Sequence, residues 1–435
     1  MSNIILTNNC NIKCPFCFAT ENNYGITKNT KEEFNIIDIW KLTPFLKDKT
    51  LKLCGGEPTL NKNIIPIIEG ALINGNSVIL MTNGLWPQSF KEYIGNLSDF
   101  DASKISFLFN ILEDKYYTRE QLENLNHVFN IINPVNSTFG ITIYKKDFEY
   151  DYLLNYAEKY SVKSIRVSIA APNITIGEYE LENSYWQIAN QLNDFLIAAS
   201  NRNIKVYKDC NYIPPCFFSK EQLINIKFQL KGNWSFSCVS APVDINANGE
   251  AWRCYGLFSV LRTKIGDFST EEALKKYFNR RMRLLSINLY AYSECKECPY
   301  WQKSCLGGCY AIRIKKVLKE HPNMILFPID DDNEILNCKP KRNESLVLRE
   351  NKLNYKVYSE GKVMNQPDEN MVSFLKIIDG QITIRELIDK WKENFDNYEE
   401  TKNEVTKMCR KLFEKDMIDI VYDYKCEIAP LPKKL

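Results

Sequence analysis

The sequence predicts an α/β protein whose first 201 residues form a partial (β/α)6 barrel of the TIM type. Two observations carry this prediction: six short apolar runs rich in β-branched residues recur in this part, and amphipathic helical patterns separate them. Strands that alternate with helices form a parallel sheet, because each helix returns the chain to the same edge. In such barrels the functional side chains follow the carboxyl ends of the strands.

The predicted strands read, in order, NIILT, TLKLCGG, SVILMTNG, KISFLFN, TFGITIY and KSIRVSI. The helical patterns between them include KEEFNIIDIWKLTPFL, NIIPIIEGALING and REQLENLNHVFNII. The segment CNIKCPFC follows the first strand, GGEP follows the second, and TNG follows the third. We therefore expect these three segments on one rim of the sheet.

Residues 202–340 differ in character, because they hold nine of the fifteen cysteines and few long periodic segments. We expect an irregular, cysteine-rich domain in which metal clusters replace a large hydrophobic core. The charged stretch KPKRNESLVLREN that follows is interpreted as a linker.

Regular periodicity returns in residues 353–425. Apolar residues recur there at helical spacing in three segments, which predicts three amphipathic helices. Thr383 and Glu386 form a capping box before the second helix. Because the strand-like segments YKVYS, KVMN and IDIVY flank the helices, the prediction is a small domain of the winged-helix type.

Composition excludes several classes of protein. Hydrophobic residues make up 45% and charged residues 25%, as in ordinary globular domains. A net charge of +2 gives no reason to expect a polyanionic partner. No apolar run approaches the roughly 20 residues of a membrane span, and no secretory signal is visible. We expect a cytoplasmic protein that binds neither nucleic acid nor membrane.

Fifteen cysteines are unusual in such a chain, because disulfides are rare in the cytoplasm. Cysteine acting as a small buried hydrophobe is one explanation. Tight, patterned spacing favours metal or iron–sulfur ligation instead. His127 and His321 are the only histidines. The chain therefore has few residues with which to form mixed Cys/His zinc sites or a histidine-based catalytic site.

The loop after the first strand holds Cys10, Cys14 and Cys17 in the spacing C-x3-C-x2-C. Three thiolates can bind three irons of a [4Fe–4S] cluster and leave the fourth iron open for a ligand. A rubredoxin-like or zinc loop is the alternative, but it explains neither the count of three nor the GGEP segment.

This loop after a first strand, with GGEP after the second, resembles the radical S-adenosylmethionine (radical SAM) superfamily. The resemblance implies that SAM chelates the open iron and that Glu57 receives its amino group. It also implies a place for Phe16 beside the adenine. Further contacts with the cofactor are expected from Gly55, Gly56, Pro58 and Asn83, the glycines by admitting the ligand close to the main chain.

A second field of cysteines has the order C-x10-G-x4-C, C-x2-C-x6-C-x3-C and a final C, and it comprises Cys238, Cys254, Cys295, Cys298, Cys305, Cys309 and Cys338. This order resembles the SPASM extension of radical SAM enzymes, with six residues in the third interval where five are usual. Zinc-ribbon stapling is the alternative.

The SPASM resemblance implies two auxiliary [4Fe–4S] clusters. One would be bound by Cys295, Cys298, Cys305 and Cys338. The other would be bound by Cys238, Cys254 and Cys309. Its fourth position is open between Cys216, which we favour, Cys210, and no protein ligand.

Residues 353–425 resemble PqqD-like domains, which recognise the leader peptides of ribosomally made, modified peptides (RiPPs), notably in IIDG followed by TIRELI. The resemblance implies that a leader adds as a strand beside the wing. A DNA-binding winged helix and a vestigial structural cap are the alternatives. Residues 351–435 hold fifteen Lys and Arg against sixteen Asp and Glu, and this balance disfavours phosphate binding.

The sequence thus predicts an enzyme that cleaves SAM reductively and abstracts hydrogen from a precursor peptide with a leader. The implied cofactors are SAM and three [4Fe–4S] clusters, and the implied electron donor is a protein such as flavodoxin or ferredoxin. Another protein or a small molecule as substrate, and an iron–sulfur sensor, are alternatives. A sulfatase-maturase type is disfavoured, because that family has Asp where Tyr255 stands. The catalytic acid or base is open between Tyr255, Asp209 and Tyr310.

Overall fold

The computed structural model describes residues 2–17, 33–170, 181–209, 213–230, 238, 242–344, 346–351, 354–359, 362–365, 369–391, 397–422 and 430–432. The chain divides into two compact units. The first comprises Met1–Lys275, Glu294–Lys315 and Pro430–Leu435, and the second comprises Lys276–Ser293 and Lys316–Ala429. The predicted domain borders after residues 201 and 340 fall inside these units.

The first unit is built on a sheet of ten strands. Seven of them are parallel and follow one another in chain order: β1 (Asn3–Thr7), β2 (Thr50–Gly55), β3 (Ser77–Thr82), β4 (Ile105–Asn110), β5 (Ser137–Ile143), β6 (Ser164–Ile169) and β7 (Lys205–Lys208). On the other side of β1 the sheet continues with β8 (Asp244–Ile245), β9 (Glu250–Trp252) and β10 (Arg262–Lys264). β8 is parallel to β1, whereas β9 and β10 are antiparallel to their neighbours.

Helices connect the parallel strands: α1 (Ile36–Leu42), α2 (Ile64–Ile73), α3 (Gln88–Gly95), α4 (Asp99–Ser103), α5 (Arg119–Ile131), α6 (Asp151–Lys159) and α7 (Tyr185–Asn201). All six predicted strands are present, so the mostly parallel α/β sheet is confirmed. The sequence does not predict β7, because a four-residue strand at the sheet edge with mostly exposed side chains needs no apolar run. None of the helices in the described residues has the length and apolar character needed to cross a bilayer.

The register of the sheet gathers the segments that follow β1, β2 and β3. Ile5 of β1 pairs with Cys54 of β2, and Leu53 pairs with Leu80 of β3. Residues 8–17, 56–60 and 83–86 therefore leave the sheet side by side at its carboxyl edge, which is where the first candidate site lies.

The second unit contains two antiparallel sheets among its described residues. One has the order β12 (Val347–Asn351), β13 (Asn354–Ser359) and β14 (Lys362–Asn365), and in the other β11 (Lys339–Arg342) pairs with β15 (Ile418–Val421). The predicted linker KPKRNESLVLREN therefore forms β11 and β12. Charge does not prevent strand formation here, because Lys341 and Arg342 point outwards while Pro340 is buried.

Three helices of the second unit match the helices predicted from periodicity: α11 (Glu369–Ile377), α12 (Ile384–Trp391) and α13 (Tyr398–Glu414). They pack around one hydrophobic cluster with residues from earlier in the chain, among them Leu284, Ile329, Leu336 and Cys338. Residues 353–425 thus share their core with the preceding segment, which the sequence interpretation treats as a separate domain.

Residues 202–340 are more regular than the sequence predicts. They contain α8 (Lys220–Gln229), α9 (Glu271–Asn288) and α10 (Tyr310–Glu320). Apolar side chains such as Leu274 of α9 are fully buried, so hydrophobic packing contributes to this region. The helical pattern of α9 is hard to recognise because the helix also buries arginines. Arg281, for example, donates to Asp330 (3.0 Å) and Glu414 (2.9 Å).

Candidate metal and cofactor site

The first candidate site is the loop of residues 8–17, which leaves the carboxyl end of β1. The N–H of Cys17 donates to the carbonyl of Cys14 (3.1 Å), so these two cysteines enclose a tight turn. Cys10 is exposed, and Cys14 and Cys17 are partly exposed. Cys10 is therefore the most accessible of the three at the rim of the sheet.

The two glycines of GGEP allow the end of β2 to approach this loop. The N–H of Gly56 donates to the carbonyl of Thr7 (2.8 Å), and the N–H of Glu57 donates to that of Asn9 (2.7 Å). A Cβ on Gly56 would lie 2.3 Å from the Asn9 oxygen. Gly55 has a φ of +144°, and a Cβ there would lie 2.3 Å from the Thr7 oxygen. The glycines thus allow the main chain after β2 to pack on the main chain after β1. The sequence suggests another role for them, which is to let a ligand approach the main chain.

The carboxylate of Glu57 is fully buried and holds two loops together. Its Oε1 accepts hydrogen bonds from the N–H (3.1 Å) and hydroxyl (2.7 Å) of Thr59 and from the hydroxyl of Thr82 (2.8 Å). Its Oε2 accepts from the N–H of Asn83 (2.7 Å). Burial raises the pKa of Glu57, although these donors oppose the shift. Pro58 is buried directly after it. These hydrogen bonds hold the Glu57 carboxylate between the segments that follow β2 and β3. The expected contact of Glu57 with the SAM amino group stays a prediction.

Asn83 connects the segment after β3 to the cysteine loop. Its Nδ2 donates to Oδ1 of Asn11 (2.8 Å) and lies 3.8 Å from Sγ of Cys10 as a weak N–H···S donor. Its Oδ1 accepts from the N–H of Leu85 (2.8 Å), and Nδ2 of Asn11 donates to the carbonyl of Leu85 (2.7 Å). No motif in the sequence indicates a role for Asn11. Its position next to Cys10 is the one sequence feature that could have suggested that it belongs to the site.

The three thiols of the loop influence one another electrostatically. Burial, followed by the charges of Cys17 and Cys10, raises the pKa of Cys14 to about 12. Burial also raises the pKa of Cys10, and the charge of Glu57 adds to it. Neighbouring thiolates need a positive partner, which iron ions provide. This donor set, accessible at a rim and with an amide on Cys10, fits a [4Fe–4S] cluster with an open iron.

Phe16 lines a pocket near the carboxyl ends of β4 and β5. Its ring packs against Tyr144, with ring centroids 5.5 Å apart. The walls of this small pocket include Leu112, Thr142 and Lys145. An aromatic ring can stack on a flat heterocycle, and the expected contact of Phe16 with adenine stays a prediction.

Six cysteines of the second field form two sets of neighbours in the first unit. Among the described residues, no three His, Cys, Asp or Glu side chains converge at the distances that one metal ion requires. In the first set, the charges of Cys238 and Cys309 add to burial in raising the pKa of Cys254. Nη2 of Arg253 donates to the carbonyl of Cys238 (3.5 Å). Burial also raises the pKa of Cys238, although the charges of Arg253 and Arg313 oppose the shift, and it raises the pKa of Cys309 to about 12. Thiolates at these positions therefore need a metal partner.

The second set contains Cys295, Cys298 and Cys305, and the structure adds Cys216 to it. The N–H of Cys298 donates to the carbonyl of Cys295 (3.3 Å), so the segment turns back on itself. The N–H of Gly307 donates to Sγ of Cys305 (3.3 Å). The sulfur of Cys216 interacts electrostatically with Cys305, Cys295 and Cys298, in this order of strength.

Cys338 lies in the hydrophobic cluster of the second unit. Its Sγ donates to the carbonyl of Glu334 (3.6 Å), and its carbonyl accepts from the N–H of Ile384 (2.8 Å). Burial, followed by the charge of Glu334, raises its pKa to about 12. The expected ligand roles of Cys216 and Cys338 stay predictions. The order of cysteines along the chain cannot tell which isolated cysteine reaches which set. Cys210 lies outside the described residues.

The three residues considered as acid or base each have a packing or ion-pair partner. Asp209 pairs with Arg166 (3.2 Å). Tyr310 is buried, with the guanidinium of Arg313 4.1 Å from its ring centre. Tyr255 packs on the small cluster of Ile5, Cys54 and Trp252. These contacts give each residue a structural role and single out none as the catalytic group. Cys54, which precedes GGEP, is buried.

Asp244 of β8 is a titratable group that sequence analysis does not single out. It is buried, and Nδ2 of Asn3 donates to its Oδ1 (2.7 Å). Burial, with a contribution from the charge of Asp209, raises its pKa to about 7. Because it is buried beside Asn3 at the start of β1, away from the cysteine loop at the other end of that strand, its position gives no reason to prefer it as the catalytic group. Its segment VDIN looks like an ordinary strand in the sequence.

Residues 4–145 match the family model described as Radical SAM superfamily, so the chain contains a radical SAM domain.

Curated relatives also match only part of the chain, and three of them show the range. A protein of Methanocaldococcus jannaschii named as an activating enzyme for glycyl-radical enzymes is 34% identical over 139 residues, which are 30% of this chain and 55% of that protein. The 7,8-dihydro-6-hydroxymethylpterin dimethyltransferase of the same organism is 30% identical over 29% of this chain and 25% of its own length. The GTP 3′,8-cyclase of Clostridium acetobutylicum is 26% identical over 32% of this chain and 43% of its own length. The chain thus spans between a quarter and about half of these relatives.

Solved structures of SuiB from Streptococcus suis resemble this chain in fold. The structure bound to S-adenosylmethionine has a TM-score of 0.51 and 16% identity, over 72% of this chain and 73% of that chain. The structure bound to the precursor peptide SuiA has a TM-score of 0.50 and 15% identity, over 72% of each chain. At this level of identity the likeness is one of fold.

Proposed function

We propose that the protein is a radical SAM enzyme that modifies a ribosomally made precursor peptide. The observation that carries the proposal is the cysteine loop at the end of β1, fixed by main-chain bonds from Gly56 and Glu57 and by the side chain of Asn83. The loop lies within the radical SAM domain. We infer that Cys10, Cys14 and Cys17 bind a [4Fe–4S] cluster whose fourth iron takes SAM.

The chemistry follows from that cofactor pair. When bound, the reduced cluster supplies one electron that splits SAM into methionine and a 5′-deoxyadenosyl radical, which takes a hydrogen atom from the substrate to give 5′-deoxyadenosine. The electron comes from a one-electron donor protein of the flavodoxin or ferredoxin class. The protein's contribution is to hold the three thiolates, to place an amide on Cys10, and to offer the pocket at Phe16 for the adenosyl group.

The second cysteine field supports two auxiliary [4Fe–4S] clusters in this proposal. Two separate sets of thiols lie in the first unit, one with Cys238, Cys254 and Cys309 and one with Cys295, Cys298 and Cys305. The thiols of each set would hold a cluster that, when bound, would supply an acceptor for the electron lost by a substrate radical on crosslink formation, with the proton passing to a base. The enzyme would therefore carry three clusters.

The proposed substrate is a peptide with a leader segment. The fold likeness to SuiB, which has been solved with a precursor peptide, supports this substrate class. In the second unit, β12–β13–β14 is a three-stranded antiparallel sheet whose outer strands each have one neighbour in the described residues. Such a strand can accept an extended peptide through main-chain hydrogen bonds. The near-neutral charge of residues 351–435 supports a peptide over nucleic acid.

The experiment that tests this substrate uses short precursor peptides encoded beside the gene. Iron-replete protein, SAM and a reductant should change the mass of the peptide's core, and leader alone should bind the full-length protein saturably. Proline at alternate positions of the leader's strand should weaken binding, since each proline removes an N–H donor, while proline outside the strand serves as the control. Absence of saturable leader binding together with an unchanged core peptide would contradict the proposed substrate.

A further inference from the structure

The second set of cysteines raises the question of which residue completes it. Cys295, Cys298 and Cys305 supply three thiols, and a structural [4Fe–4S] cluster takes four. The family resemblance assigns the fourth place to Cys338. The surroundings of Cys338 and Cys216 point to a different residue.

Cys338 has the environment of a core cysteine. It is buried in the cluster formed by α11, α12 and α13, with Cys409 as a neighbour. Its Sγ donates to Glu334 O, and its carbonyl caps the start of α12 through Ile384 N–H. A free cysteine in such surroundings acts as a small apolar side chain. All of these contacts lie within the second unit.

Cys216 is held beside the second set by a continuous series of contacts in the first unit. Its neighbour Phe217 is buried and packs edge-on against Trp186, with ring centroids 5.2 Å apart. Nε1 of Trp186 donates to the carbonyl of Pro432 (3.0 Å). The next contact runs from the N–H of Leu431 to the carboxylate of Glu294 (3.1 and 3.0 Å), the residue before Cys295.

The backbone around Cys216 is fixed as well. Pro214 and Pro215 precede it, and a 3₁₀ turn over Pro215–Phe217 closes with the N–H of Phe218 donating to the carbonyl of Pro215. Cys216 stays exposed while Phe217 and Phe218 on its other side are buried. The turn holds the Cys216 thiol in a fixed position, and its sulfur interacts electrostatically with the other three thiols. A fourth ligand needs this arrangement.

We propose that Cys216 is the fourth ligand of the auxiliary cluster bound by Cys295, Cys298 and Cys305, and that Cys338 is a structural residue of the second unit. The inference rests on the proposed function, because it assumes that the set binds an iron–sulfur cluster. It leaves Cys238, Cys254 and Cys309 as a set of three among the described residues.

The test compares matched single variants of the full-length protein, Cys216→Ala, Cys216→Ser and Cys338→Ala, with Cys295→Ala as the reference for a lost ligand. Iron and sulfide are counted per chain after anaerobic reconstitution, and reduced samples are examined by electron paramagnetic resonance and Mössbauer spectroscopy. Wild-type protein should hold roughly twelve iron atoms if three clusters form. Far-UV circular dichroism reports whether each variant folds.

Cys216→Ala should match Cys295→Ala, with loss of up to about four iron atoms or a changed spectrum for one cluster. Cys216→Ser should keep the fold and shift the signal of that cluster, because oxygen replaces a sulfur ligand. Cys338→Ala should retain the iron content and spectrum of the wild type. An unshifted spectrum in both Cys216 variants, or loss of cluster iron in folded Cys338→Ala, would overturn the assignment.

A separate measurement distinguishes failure of this assignment from failure of the proposed function. Cys338→Ala should still form 5′-deoxyadenosine from SAM, because Cys10, Cys14 and Cys17 are intact. Wild-type protein that binds no iron would refute the proposed function. Iron-replete wild type with a Cys338-dependent cluster would refute only the assignment of Cys216.

Discussion

Gly56 is the residue at which the two halves of the first candidate site approach most closely. Its N–H binds the end of β1, and the neighbouring N–H of Glu57 binds the carbonyl directly before Cys10. The position of the cysteine loop therefore depends on a contact between main chains, and a side chain at residue 56 would disturb it.

Gly56→Ala should destabilise the protein by about 1–3 kcal/mol and lower the yield of the cluster at Cys10. The added Cβ would lie 2.3 Å from Asn9 O and 2.7 Å from Asn8 O, and main-chain atoms cannot move aside cheaply. Gly95→Ala is the matched control, because a Cβ there meets nothing within 4 Å. Urea unfolding and iron analysis of both variants check the prediction, and equal stability of the two would contradict it.

At the residue scale, the sequence indicates which residue types carry the chemistry, but it does not indicate which residues they contact. The spacing of Cys10, Cys14 and Cys17 and the GGEP segment indicate the radical SAM domain correctly. The partners of Glu57, which are Thr59, Thr82 and Asn83, come from two loops that only the folded sheet brings together. Isolated cysteines such as Cys216 have no local pattern that assigns them to a set.

Among the elements, α9 is anchored at its first residue to the start of the chain. Glu271 is buried, and its carboxylate accepts from the hydroxyl of Ser2 (2.7 Å) and the N–H of Lys47 (2.9 Å). It also pairs with Lys275 (2.7 Å). Burial alone would raise the pKa of Glu271, but these partners outweigh it and lower the pKa to about 2. The ionised form of Glu271 is therefore stabilised by folding.

Glu271→Gln should reduce the free energy of unfolding by about 2–3 kcal/mol at neutral pH. Because the folded pKa lies below the unfolded value of 4.5, this contribution is present above pH 4.5 and disappears as the pH falls towards 2. Glu272→Gln is the control, since Glu272 is exposed and pairs with Lys47 Nζ at the surface. Unfolding curves between pH 2 and pH 7 test this, and a constant difference between wild type and Glu271→Gln would contradict it.

Elements were predictable where their hydrophobic period is simple. The six parallel strands and helices α11, α12 and α13 have clean patterns, and all of them are present. β7 and α9 are missed for physical reasons: β7 is a short edge strand, and α9 buries Arg280 and Arg281 in hydrogen bonds and ion pairs. Periodicity reports apolar burial, so it cannot report a buried charge that another part of the chain neutralises.

For the whole chain, the two compact units have other borders than the three domains expected from the sequence, and those domains stay a prediction. Residues of α11–α13 share one hydrophobic cluster with Leu284, Ile329 and Leu336. A cut at residue 353 would therefore expose apolar surface on both fragments. Leader binding is better studied in the full-length protein than in a fragment.

The central claim is that SAM is cleaved at a cluster held by Cys10, Cys14 and Cys17. The most direct measurement is 5′-deoxyadenosine formation by anaerobically reconstituted protein with SAM and dithionite. Wild type and the control Cys54→Ala, which changes a buried cysteine outside the loop, should both form it. The triple variant Cys10→Ala, Cys14→Ala, Cys17→Ala should fall to the background rate and still retain roughly eight iron atoms per chain in the auxiliary clusters. Formation of 5′-deoxyadenosine by the triple variant, or none by iron-replete wild type, would contradict the account.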